Sequence, residues 1–298
     1  MRRMTAVLLR KLRTAWSRYN PVTLKNRVWF WYIETDTYLK DRINRRHYQF
    51  VTPDVFQQRR KTDVVFVFGA GSSLRDIPAE EWAKIDRFDT FGWRLFVLQT
   101  YVHADYLMIR ELGEIDAGTK PQVQKRECRD MAKRIIDNAR FDNAFIIVQE
   151  GWRAVAGNRF FGDRFAPSGY TYMRFRNGQR QVGSMPAASF AEGITHRQST
   201  LSDALNIAFL GGWQHIVLVG VDLYDSAYFN VPPGEPNPAW VNGASDPNDL
   251  HSTAQSGIVE TVGAWAQWMA ERGVQMSVYN PKSLLAEVIP VFSWDMLE

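Results

Sequence analysis

The sequence predicts an α/β protein built on a doubly wound, mostly parallel sheet. Short unbroken apolar runs, at residues 64–68 and 215–220, have the composition of strands covered on both faces. They alternate along the chain with stretches of helical apolar spacing, the order that produces parallel sheets. The first of these runs ends in Gly69-Ala70-Gly71 and a Ser72-Ser73 pair suited to capping a helix. Two glycines let a backbone turn sharply and approach a ligand, and a helix N-terminus beyond them offers N–H groups and a positive dipole end. That corner is a place for a phosphate, although Leu74 stands where the dinucleotide fingerprint has its third glycine. A purely structural strand-to-helix corner fits the same residues.

The chain has 298 residues, enough for one large α/β domain with or without an appendage. A single cysteine, Cys128, excludes an intramolecular disulfide, so a reducing cytoplasm is the default compartment. Charge is uneven behind a net value of +4. Up to Lys61 there are fifteen Lys and Arg against four Asp and Glu, and the remainder carries 21 against 28. Residues 1–62 therefore read as a basic arm and residues 63–298 as a mildly acidic body.

Such an arm attracts anionic lipid or nucleic acid. Leu8, Leu9, Leu12, Trp16, Val28, Trp29, Trp31 and Tyr32 are interleaved with its cations, which favours a membrane interface over nucleic acid. No run approaches the roughly 18 to 20 apolar residues of a spanning helix, and no signal peptide is evident. The arm is expected to be two amphipathic helices broken near Pro21, peripheral on the cytoplasmic side of an inner membrane. The same aromatics could instead pack on the body or on a second copy, so a homo-oligomer stays open.

In order along the body, the sequence predicts a polar linker at 57–62, the strand at 64–68, a short helix at 77–84 and strands at 89–91 and 106–109. A helix at 123–138 and a strand at 145–148 follow. Residues 170–176 alternate before Asn177-Gly178, a hairpin signal, so 160–181 is expected to be a small lid. A helix at 201–210 ends at Gly211-Gly212 and leads into the strand at 215–220 and then Val221-Asp222-Leu223-Tyr224. Polar residues just past the carboxyl end of a parallel strand are where open α/β sheets place their chemistry. The loop at 229–250 is a second lid segment. His251, a long helix at 253–273 and a last strand at 275–278 complete the chain.

Four motifs in this order resemble the bacterial sialyltransferases of glycosyltransferase family 42: Gly69-Ala70-Gly71-Ser72-Ser73-Leu74, Arg197-Gln198-Ser199-Thr200, Gly220-Val221-Asp222-Leu223-Tyr224 with Tyr228, and His251-Ser252. The likeness covers about residues 63–285. It implies a single Rossmann-like domain, a GT-A-like variant with a lid, that needs no metal or cofactor and moves a sialyl group from a CMP-linked donor with inversion. By the resemblance His251 is the general base, Tyr224 and Tyr228 hold the leaving phosphate, and Gly69, Gly71, Ser199 and Thr200 line the donor. Ala70, Arg94 and Arg110 stand where the family has asparagines, and Leu223 where it has an aromatic. Arginines there suit a more anionic donor.

The chemistry is coherent on its own terms. Inverting transfer needs a base near neutral pKa, and a histidine beside a helix N-terminus is biased towards its neutral form. Phenols and backbone amides can stabilise a departing phosphate. The plain alternatives are a helix-capping or surface His251, tyrosines that pack on the sheet edge, and an Asp222 that caps a turn. The expected partners are a nucleotide sugar, a cell-envelope or lipid-linked glycan acceptor and an inner-membrane surface. The Gly-Ala-Gly-x-Ser-Leu form also resembles MptE-like proteins, including pterin diphosphokinases and motility-associated flagellin glycosyltransferases; Asp222 and Asp225 are the carboxylates a Mg²⁺-dependent diphosphokinase would have. A third reading is a non-catalytic nucleotide-binding membrane tether.

Overall fold

The computed structural model describes residues 21–110, 121–178, 184–237 and 246–297. Eight strands form one sheet: β1 (Gln49–Val51), β2 (Val64–Phe68), β3 (Asp89–Trp93), β4 (Tyr106–Ile109), β5 (Phe145–Gln149), β6 (Thr171–Phe175), β7 (His215–Val219) and β8 (Gln275–Val278). Their order across the sheet is β1-β6-β5-β4-β3-β2-β7-β8, and every pair is parallel. The helices are α1 (Pro21–Asn44), α2 (Pro53–Gln58), α3 (Ala79–Ile85), α4 (Pro121–Asp137), α5 (Val155–Gly162), α6 (Thr200–Gly211), α7 (Ser252–Gln255) and α8 (Ile258–Ala270). This is a Rossmann-like α/β fold.

Strand alternation divides the core into two layers. Val65 and Val67 of β2 pack with Leu205 and Ala208 of α6 and with Val262 and Trp265 of α8. Phe66 and Phe68 point the other way, towards Trp82 of α3, Met131 of α4 and Phe160 of α5. Both faces of β2 are thus covered, as its unbroken apolar run requires. Cys128 lies in the second layer, where burial pushes its thiol up to about 12 and leaves it inert.

Several expected elements take a different form. Residues 72–76 are a single 3₁₀ segment, with no side-chain cap at its start, rather than the opening of an α-helix. The helix expected at 77–84 begins at Ala79, with Pro78 at its N-cap. The helix expected at 253–273 is two helices, because Gly257 takes a left-handed φ of 85° between α7 and α8. Residues 171–175 are not a hairpin lid: β6 lies inside the sheet with parallel neighbours β1 and β5. Alternation misled here because Arg174, the polar residue in the pattern, has a buried partner in Asp41 of α1. The return strand expected after Gly178, the first basic helix and part of the 229–250 loop lie outside the described residues.

The division between an arm ending at residue 62 and a body starting at 63 does not follow the packing. Residues 49–51 form the edge strand β1, and Phe56 of α2 is fully buried against Tyr106, Phe145 and Trp213. Helix α1 lies along α5, where Asn44 donates to the Gly162 carbonyl at 2.7 Å and a β-carbon at Gly162 would lie 2.9 Å from Lys40 Cβ. Among the described helices none is long and apolar enough to cross a membrane.

Candidate active site

The strand order reverses at β2. From it the chain winds outward through β3, β4, β5 and β6 on one side, and β7 and β8 lie on the other. In open α/β sheets the crevice outside the carboxyl ends of the strands at such a point is where ligands bind. A cleft of about 260 Å³ lies there. Its lining joins Gly69, Ala70 and Gly71 after β2, Arg94 after β3, Asp222 and Leu223 after β7, Ser199 and Thr200 at the start of α6, and Tyr228 and His251. The glycine corner and the distant histidine therefore share one hollow.

The corner sets shape rather than offering donors. Gly69 N–H donates to the Val219 carbonyl at 2.8 Å and Gly71 N–H to the Gly220 carbonyl at 2.7 Å. A β-carbon on Gly69 would lie 2.3 Å from the Gly220 oxygen, and one on Gly71 would lie 2.3 Å from Asp222 Oδ2. Glycine is required because the β2 and β7 ends touch. Asp222 is buried and holds the corner from below: Oδ2 accepts from Ser73 N–H at 3.0 Å, and Oδ1 accepts from Ser73 Oγ at 2.6 Å and Asn280 Nδ2 at 2.8 Å. The turn-holding alternative for Asp222 is the one its geometry matches. Asn280 went unnoticed in the sequence, yet it sits just past β8, where the rule that singled out Asp222 applies equally.

Positive potential comes from the opposite wall. Helix α6 starts at the cleft with Ser199 as its N-cap, and Ser199 Oγ is buried without a hydrogen bond among the described residues. Its dipole and first-turn N–H groups favour an anion there. Arg94 adds a guanidinium whose charge reaches His251. Both Arg94 (φ 49°) and Leu223 (φ 67°) hold the left-handed conformation that β-carbons disfavour. Two strained residues lining one cleft are typical of positions fixed for function.

His251 is an N-cap as well as a cleft residue. Its Nδ1 accepts from Thr253 N–H at 3.2 Å, and its Nε2 lies 3.2 Å from Tyr228 Oη. Because Nδ1 is an acceptor, the neutral ring carries its proton on Nε2, which donates to Tyr228. Burial, and then the charge of Arg94, lower the His251 pKa, so the ring is neutral near pH 7. A base at Nε2 requires the other tautomer, and that gives up the Thr253 bond at a cost of about 1 kcal/mol.

Five of the expected site residues, Ser72, Ser73, Arg110, Arg197 and Tyr224, do not line the cleft. Arg110 pairs with buried Asp203 and with His196, so its guanidinium is engaged beside the cleft. Gln198 of the Arg197-Gln198-Ser199-Thr200 motif and His196, which no motif contains, do line it. Arg197 N–H donates to Ser202 Oγ at 2.8 Å. The Tyr224 hydroxyl is held by Asn280 and Ser72; burial, more than the nearby Asp222 charge, raises its pKa and keeps it protonated. Ser72 and Ser73 support the corner from outside the cleft. Among the described residues no three His, Cys, Asp or Glu side chains gather in metal-ligating geometry.

No protein-family model matches this chain, and no curated protein does. Among solved structures it is similar to a crystal structure of a variant of the sialyltransferase CST-II in complex with CMP. The identity is 15%, over 76% of this chain and 85% of that one, with a TM-score of 0.43. A likeness of that order carries no functional conclusion.

Proposed function

We propose that this cleft transfers a glycosyl group from a nucleotide-linked donor to a glycan hydroxyl, with inversion and without a metal. The observation that carries the reading is that a half-buried His251, biased towards its neutral form, shares one cleft with the Arg94 charge and the α6 N-terminus. The acceptor oxygen attacks the anomeric carbon while its proton passes to His251 Nε2, in the tautomer that has released Thr253. The bond from the anomeric carbon to the donor phosphate breaks, and its electron pair leaves on the phosphate oxygen. Arg94, the α6 amides and the Ser199 hydroxyl receive that charge. Tyr228 Oη holds Nε2 at 3.2 Å in the capping tautomer and yields that position to the acceptor hydroxyl when Nε2 acts as base.

The motif resemblance favours a CMP-linked, sialic acid-like donor and an acceptor in a cell-envelope glycan or glycolipid. The same reading places the protein peripherally on the cytoplasmic face of an inner membrane. The diphosphokinase reading is weaker because Asp222, one of its two candidate metal ligands, has both oxygens engaged by Ser73 and Asn280.

The test is a donor-hydrolysis and transfer screen with CMP- and UDP-linked sugars, run with and without EDTA. A His251→Ala variant whose circular dichroism matches the parent is expected to lose about 100-fold or more in rate, the usual scale of general base catalysis. A parental rate in that variant, or activity abolished by EDTA, overturns the proposal.

A further inference from the structure

Helix α1 is amphipathic in the inverted sense. Its residues at a spacing of four that face α5 are Ile33, Thr37 and Asp41, all buried. Thr37 Oγ1 donates back to the Ile33 carbonyl at 2.9 Å. Asp41 receives both terminal nitrogens of Arg174 and also Arg45 Nη2 at 3.0 Å. Polar clamps therefore hold the helix to the body, while its other face exposes Val28, Trp29, Trp31, Tyr32, Leu39 and Ile43 to between 48% and 62%. Trp29 stacks on Tyr32 at 5.8 Å, and Trp31 meets the exposed Trp152 edge-on at 6.4 Å. Six large apolar side chains on one helical face form a patch that water alone does not explain.

We infer that this face of α1 lies in the headgroup region of an anionic lipid bilayer. Charge selects that occupant. The first 33 residues of the chain contain eight Lys and Arg and no Asp or Glu, and Arg42 and Arg46 are exposed at and just past the other end of the helix. A strongly cationic sequence leading into an aromatic helical face is what an anionic lipid surface attracts. The inference gives the membrane part of the proposed function its contact surface and rests on that part alone; it does not depend on glycosyl transfer. It also fixes orientation, with α1 and Trp152 at the lipid and the α5 side of the sheet above them.

The experiment is flotation of the full chain with vesicles of phosphatidylcholine, alone or mixed equally with phosphatidylglycerol. The parent is expected to bind the mixed vesicles at least about tenfold more tightly, with the difference shrinking in high salt. Substituting Trp29→Ser, Trp31→Ser and Tyr32→Ser together is expected to weaken binding by about 100-fold, from three half-buried aromatics. The melting temperature and nucleotide binding stay parental. Leu39→Gln with Ile43→Gln is a second variant on the same face, should the first fold poorly. The inference is overturned if the parent does not float, if both variants float like the parent, or if the parent is a dimer that the variants dissociate without any lipid binding. Intact nucleotide binding alongside failed flotation removes this inference while leaving the transferase reading standing.

Discussion

Arg94 offers a perturbation in which stability and function should move in opposite directions. The residue sits at φ 49°, where a β-carbon costs about 1 to 2 kcal/mol. Arg94→Gly removes that cost but restores backbone entropy to the unfolded chain, worth about 0.4 to 1 kcal/mol against folding. The net expectation is a gain of about 0.5 to 1 kcal/mol, or about 1 to 3 °C in Tm for a protein of this size. Binding moves the other way. A guanidinium hydrogen-bonded to phosphate contributes about 1.5 to 3 kcal/mol, so its loss weakens nucleotide affinity about 10- to 150-fold. Calorimetry with CMP and with nucleoside diphosphates, beside thermal melts, reads both quantities. Arg94→Ala separates them, since it discards the charge and keeps the strain. If Arg94→Gly binds nucleotide within twofold of the parent, or melts lower, the assignment of Arg94 as a strained phosphate ligand is wrong.

Other expectations concern the parts that hold the site. Asp222→Asn leaves one carbonyl oxygen to serve three donors and sets an amide N–H against Ser73 or Asn280, for a cost of about 2 to 4 kcal/mol. Urea unfolding should show a lower midpoint at unchanged slope, and a loss below about 0.5 kcal/mol would contradict the buttress. His251 has a folded pKa below its ordinary value of about 6.5, so on acidification the unfolded chain takes up the proton first. Its contribution to stability is complete above about pH 6.5 and is lost as pH falls through the folded pKa. His215, also lowered by burial, adds to the same trend, so the test compares the parent with His251→Gln. Equal pH dependence in the two would show that His251 is not held neutral. Transfer should keep its acid limb below pH 6.5 in the parent, and Arg94→Ala should shift that limb upward because the cation beside the ring is gone.

Much of the fold was legible because parallel strands buried on both faces leave a signal independent of the rest of the chain. Residues 64–68, 106–109 and 275–278 are strands at the bounds their apolar runs indicate. The sequence misled wherever a polar residue had a distant buried partner. Arg174 made β6 look half-exposed, and only its ion pair with Asp41, 133 residues earlier, explains an interior strand. The short edge strand β1 and the buried Phe56 were hidden in the same way: the cations around them set the character of the segment, while a few apolar residues determine where it packs.

The site shows the same limit one level down. The order of the family-like motifs was enough to suggest that Gly69, Gly71, Asp222, Tyr228 and His251 belong together, whereas position past the carboxyl end of a predicted strand singles out only Gly69, Gly71 and Asp222. Their division of labour was not legible, because it depends on which polar atoms are already used. The Gly69 and Gly71 amides that a glycine motif suggests for a phosphate are consumed by the end of β7, and the Asp222 carboxylate is engaged by Ser73 and Asn280. The cleft also offers an anion the α6 N-terminus, with its Ser199 hydroxyl unmatched among the described residues, and the positive charge of Arg94. The capping alternative for His251 and the base reading are likewise two tautomers of one neutral ring. While Thr253 holds Nδ1, the imidazole is a cap and Nε2 is a donor; release of that single 3.2 Å bond turns Nε2 into the acceptor that a base must be. Loss of the Thr253 bond costs about 1 kcal/mol, comparable with the net worth of one hydrogen bond from an acceptor hydroxyl.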